Sequence, residues 1–229
     1  SVISSSAVLT VNLNSTLTLT SAAGTDNQTI CVSTPLTPIT YAIGGGGTGA
    51  SITAGALPAG VTGSFSGGVF TISGTPTATG TFNYTVTTTG PCTNISLNGT
   101  IIVNANATLA LTSAVGTDNQ TICVSTPLTP ITYAIGGGGT GASITAGALP
   151  AGLTGSFNAG VFTISGTPTA TGTFVYTVTT TGPCTNVSLN GTITVNANST
   201  ISLTSAPGTN NQTLCVNTPL TPITYAIGG

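Results

Sequence analysis

TFNYTV at residues 81–86 returns as TFVYTV at residues 173–178. Large apolar side chains alternate with smaller ones along it, which is the period of a half-buried strand. The exchange of Asn83 for Val175 fixes its facing. A polar-for-apolar exchange is cheap against solvent and expensive in a packed core, so Asn83 points out and Phe82, Tyr84 and Val86 point in. Two further exchanges take the same phase: Thr18 for Ala110 between Leu17 and Leu19, and Ile102 for Thr194 between Ile101 and Val103. Leu17, Leu19, Ile101 and Val103 therefore also face a core.

Working outward, residues 16–20, 39–43 and 100–103 are also short runs rich in Thr, Ile and aromatic side chains. They read as strands. Gly44 to Gly47, Leu57-Pro-Ala-Gly60, Gly74-Thr-Pro76 and Gly90-Pro91 punctuate them as turns. No stretch keeps a helical period. About seven short strands in roughly 90 residues predict an all-β fold of immunoglobulin-like sandwich domains.

The unit is repeated. QTICVSTPLTPITYAIGGGG begins at Gln28 and again at Gln120, and QTLCVNTPLTPITYAIGG begins at Gln212, so the period is 92 residues. A period of that length is one small domain per unit, and near-copies joined end to end form an array. The expected division is 1–13 as the last strand of a preceding repeat, 14–105 and 106–197 as complete repeats, and 198–229 as the start of another. On this reading the chain is a window on a longer array. Between the strand ending at Val103 and the next, beginning at Thr108, lie Asn104-Ala-Asn-Ala107, a linker short enough to make the array semi-rigid.

Composition narrows the function. The 229 residues include no Lys, Arg or His, and only two acidic side chains, Asp26 and Asp118. Without cations there is no surface for nucleic acid or an anionic membrane. The two carboxylates lie in separate units, and no His or Lys is present to activate a nucleophile. The chain reads as no enzyme, with no cofactor and no metal site.

ALPAGVTGSFSGGVFTISGTPTATGTFNYTVTTTG, residues 56–90, resembles the core of the Ig-like repeats of bacterial surface proteins. With its Gln-Thr-Ile-Cys opening and the Gly-Pro-Cys before the last strand, the wider unit is similar to the PKD-like/Ig-like repeats of very large Bacteroidota cell-surface proteins of the gliding-adhesin kind. The resemblance implies long arrays exported by the type IX system through a C-terminal sorting domain.

Cysteine is the only reactive chemistry. Cys31, Cys92, Cys123, Cys184 and Cys215 are spaced 61, 31, 61 and 31 residues apart, with no CxxC pair. Disulfides and an oxidising compartment are the expectation. Cys31–Cys92 with Cys123–Cys184 stays inside a unit; Cys92–Cys123 with Cys184–Cys215 staples neighbours. Parity does not decide between them. The first is preferred because a self-contained sandwich should close before its neighbour is made, and it leaves Cys215 for a partner beyond the window.

Other candidates have plainer readings. Gly44 to Gly49 lacks the Lys-Ser/Thr of a phosphate loop and reads as a flexible inter-strand loop. Thr25-Asp-Asn-Gln28 offers one carboxylate, thin for Ca²⁺, and reads as a polar turn. Tyr41, Phe65 and Phe70 could stack a sugar only if exposed, and strand phase favours the core. Asn14, Asn27, Asn83, Asn94, Asn98, Asn106, Asn186 and Asn190 each begin an Asn-x-Ser/Thr sequon and permit glycosylation. The expected role is a structural stalk of an extracellular filament or adhesin, whose partners are neighbouring repeats, other copies in a bundle, or surface glycans. The alternative is a repeated carbohydrate- or protein-binding module acting by avidity. Exposure of loop aromatics discriminates between them.

Overall fold

The computed structural model describes residues 7–229, and every regular element in them is a strand. The first complete repeat holds eight strands, one more than expected: β1 (Ser15–Leu19), β2 (Asn27–Cys31), β3 (Ile39–Gly45), β4 (Gly49–Gly55), β5 (Val61–Ser66), β6 (Val69–Gly74), β7 (Gly80–Thr89) and β8 (Ser96–Asn104). They form two sheets, ordered β1-β3-β6-β5 and β2-β8-β7-β4. All pairings are antiparallel except β2 with β8, which run parallel with Cys31 beside Asn104.

The second repeat reproduces this with β9 (Ala107–Leu111), β10 (Asn119–Cys123), β11 (Ile131–Gly137), β12 (Gly141–Gly147), β13 (Leu153–Asn158), β14 (Val161–Gly166), β15 (Gly172–Thr181) and β16 (Ser188–Asn196). Its sheets are β13-β14-β11-β9 and β10-β16-β15-β12. β17 (Thr200–Leu203) and β18 (Tyr225–Gly228) pair antiparallel in the register that β9 and β11 show one repeat earlier and β1 and β3 two repeats earlier.

Each complete repeat closes its own core. In the first, Ile39, Tyr41, Ile72, Tyr84, Val86 and Ile101 are the centre, with Leu19 and Phe82 packed against it. The strand facing read from the repeat exchanges is the observed one: Tyr84, Val86, Ile101 and Val103 are buried, while Asn83 and Thr18 are exposed. The second repeat gathers the equivalent side chains. Fully burying one such aliphatic or aromatic residue contributes about 1.5–3 kcal/mol.

By backbone contacts the chain separates into two compact units. One contains the residues through Asn106 together with Gly182–Thr185; the other contains Ala107–Thr181 and Asn186–Gly229. The Gly-Pro-Cys-Thr segment of the second sequence repeat thus belongs to the first unit. Of the expected strand at 1–13, residues 1–6 lie outside the described residues, and residues 7–14 carry no strand. The cause is pairing: the equivalent β8 is held by β2 on one side and β7 on the other. The linker is also tighter than expected, since β8 runs through Asn104 and β9 starts at Ala107.

Candidate functional site

The cysteines sit where the sheets place them. Cys31 ends β2, beside Asn104 at the end of β8, because the two strands are parallel. Cys92 lies in the turn before β8 begins at Ser96. The two cysteines of one repeat therefore flank opposite ends of a 9-residue strand. At about 3.3 Å per residue that strand spans roughly 26 Å. A disulfide needs Cα atoms within about 7 Å, so the expected Cys31–Cys92 and Cys123–Cys184 pairs are geometrically impossible. Cys31 is bonded instead to Cys184, 153 residues away, with Cα atoms 5.6 Å apart. Cys92, Cys123 and Cys215 are free thiols. Neither pairing weighed from the sequence contains this bond. The parallel β2–β8 pairing rules out the first of them, and nothing in local periodicity announces it.

The turn bearing Cys184 is held by the linker. The Thr185 amide donates to Asn106 Oδ1 at 3.3 Å, and Cys184 Sγ lies 3.9 Å from the Asn104 carbonyl oxygen. One period earlier the Thr93 amide donates to Asn14 Oδ1 at 3.3 Å, and the Cys92 thiol donates to the Asn12 carbonyl at 3.5 Å. The two turns are built alike.

Of the sequons, Asn14, Asn27, Asn83, Asn94, Asn98, Asn186 and Asn190 are exposed, whereas Asn106 is half-buried. Several already serve the fold: Asn98 accepts from Thr85, Asn83 from Thr100, and Asn94 from Ser15 and Thr88.

Tyr41 and Phe70 are buried in the core and cannot stack a sugar; Phe65, at 37% exposure, lies on β5 and not on a loop. The Tyr41 and Tyr84 hydroxyls meet at 3.3 Å, and Tyr84 donates onward to the Asp26 carbonyl at 3.2 Å. Burial pushes both phenols above their ordinary value. Asp26 contributes to this network through its backbone, not as a cation ligand. No group of three or more metal-ligating side chains exists among the described residues.

The glycine-rich stretch at Gly44–Gly49 is less of a loop than its composition suggests. Gly44 and Gly45 belong to β3 and Gly49 starts β4, so the flexible loop shrinks to a tight turn. Gly45 has φ +61, and a Cβ there would collide with the Asn14 carbonyl. It is a site of close backbone approach and not a ligand cradle.

One shallow hollow of about 360 Å³ lies on the outer face of the β4-β7-β8 sheet, lined by Asn83, Thr85, Asn98, Thr100 and the backbone at Gly55 and Gly99. It holds no group that titrates near neutrality, and Val175 replaces its Asn83 in the second repeat.

Sequence reasoning missed Gln28. Its Nε2 donates to the Thr25 carbonyl at 2.7 Å and the Thr37 carbonyl at 2.8 Å, while its Oε1 accepts from the Thr37 amide at 3.1 Å. Gln120 and Gln212 make the same clasp. The invariant Gln before Thr-Ile/Leu-Cys in all three copies was the available signal.

No protein-family model matches the chain, and no curated protein matches it. Solved structures do. An I-band fragment from titin matches at TM-score 0.58 and 12% identity, covering 83% of this chain and 68% of that one. An E-to-A mutated variant of a titin three-Ig structure matches at TM-score 0.58 and 12% identity, covering 84% and 68%. An endo-fucoidan hydrolase of glycoside hydrolase family 107 matches 75% of this chain and 28% of that chain at TM-score 0.30 and 18% identity, too distant to bear on activity. The fold is therefore an all-β array of immunoglobulin-like sandwiches in tandem.

Proposed function

We propose that this chain is a structural spacer: tandem Ig-like repeats in the stalk of a long extracellular surface filament or adhesin, of the gliding-adhesin kind that its sequence resembles. Type IX export and a cell-surface location are part of the same reading. The observation that carries it is the self-contained core of each complete repeat, built from equivalent side chains in both copies. A spacer gains reach by duplicating such a domain intact. The absence of any His, Lys or Arg removes the usual means of catalysis, and the disulfide suits an oxidising location.

Two observations favour the spacer over the avidity reading. The aromatics that could stack a sugar are mostly core, and the polar hollow changes character at Val175, whereas an array selected for avidity repeats its site. A glycan-array and whole-cell binding assay on the full chain tests the spacer. No saturable binding is expected. Saturable binding that is abolished by changes at Asn83 and Asn98 overturns it.

A further inference from the structure

The Cys31–Cys184 bond joins the first cysteine of one 92-residue repeat to the second cysteine of the next. Both halves of that site recur with their surroundings intact. Cys123 ends β10 beside Asn196, as Cys31 ends β2 beside Asn104. Cys92 sits in a turn tied to Asn12 and Asn14, as Cys184 sits in a turn tied to Asn104 and Asn106. Cys123 is exposed and Cys92 half-buried, and both are free thiols.

We propose that the array is covalently laced by a one-repeat-forward disulfide rule. The cysteine ending the β2-type strand of each repeat bonds the Gly-Pro-Cys cysteine of the repeat that follows. Cys123 is the open half for a following copy of the repeat, and Cys92 the open half for a preceding one. The ligand of each is a cysteine thiol presented in the same Gly-Pro-Cys turn or β2-type strand end by another copy of this unit. Intra-repeat closure cannot compete, because β8 holds the two cysteines of a unit at its opposite ends. A low-molecular-weight disulfide serves as oxidant. One protein thiolate attacks it and releases one small thiol; the second protein thiolate then displaces the other, so two electrons leave the protein cysteines and their protons end on the two released thiols. Each new repeat adds two cysteines and one bond, leaving the number of free thiols unchanged. Every peptide linker is then bridged by a second covalent path.

The test inserts a further copy of residues 14–105 after Ala197 of the full chain and oxidises it in a mixture of oxidised and reduced glutathione. Seven cysteines are then present, five in the chain plus two inserted. The rule predicts three free thiols in the denatured monomer, as in the unextended chain. It also predicts one new chymotryptic cross-link, joining the Cys123 peptide marked by Val115 to the Gly-Pro-Cys peptide of the inserted copy, which carries Ser96→Thr so that it differs from the chain's own Cys92 peptide. Cys123→Ser in the extended chain should raise the free thiols from three to four while leaving the Cys31–Cys184 peptide intact, which also reports that the chain has folded. Five free thiols in the extended chain, a Val115 peptide joined to the Val187 peptide of its own repeat, or a Val115 peptide joined to the Cys92 peptide that keeps Ser96, would overturn the rule.

Discussion

Each repeat depends on a few side chains whose roles differ sharply from those of their neighbours. Ile101 is fully buried and Ile102 half-exposed one residue on. Ile101→Ala should cost about 2–5 kcal/mol, and Ile102→Thr, the residue found at Thr194, less than about 0.5. Denaturant midpoints of the full chain decide it, and equal effects would mean the facing is wrong. Gln28→Ala removes three hydrogen bonds whose Thr37 partner is open to water, so a loss of about 0.5–1.5 kcal/mol is expected in the same assay. The tyrosine pair supplies a pH dependence. Tyr41 and Tyr84 have folded pKa values raised by burial, so the unfolded chain releases their protons first. Stability should hold below about pH 10 and fall above it, by about 1.4 kcal/mol per pH unit for each tyrosine titrating only in the unfolded state. Alkaline melts of wild type against Tyr41→Phe should show a shallower fall in the variant.

At the scale of elements, what the sequence discloses is local and what it conceals is pairing. Strand phase was legible at Asn83, Thr18 and Ile102 because the internal copies performed the substitution experiment. The buried fate of Tyr41 and Phe70 followed from the same alternation. The disulfide was not legible: it depends on β2 lying parallel to β8, a contact between residues about 70 apart whose register no periodicity encodes. The Gly44–Gly49 stretch misled for a related reason, since Gly45 and Gly46 answer to the backbone at Asn14 and Leu13 and not to chain freedom. A loop of 153 residues closed by Cys31–Cys184 contributes about 5 kcal/mol on the chain-entropy model. Reduction should therefore lower the thermal midpoint of the first unit markedly, and Cys31→Ser should reproduce the shift without reductant. An unchanged midpoint would mean that the unit's packing alone sets its stability.

For the whole molecule the governing fact is that stability is assembled repeat by repeat. The two cores share no residue, each being drawn from its own pair of sheets. In a quasi-one-dimensional array, damage to one unit should stay there. Ile193, fully buried in the second core, is the counterpart of Ile101. Ile193→Ala should cost the second unit about 2–5 kcal/mol while leaving protection in the first almost unchanged. Peptide-resolved hydrogen exchange of the full chain reads both units in one experiment. Faster exchange confined to peptides from β10, β11, β14, β15 and β16 is the expected result. Equal acceleration in β3, β6 and β8 would show one cooperative body, and then repeat number could not be varied without altering the stability of every copy, which is the freedom a spacer requires.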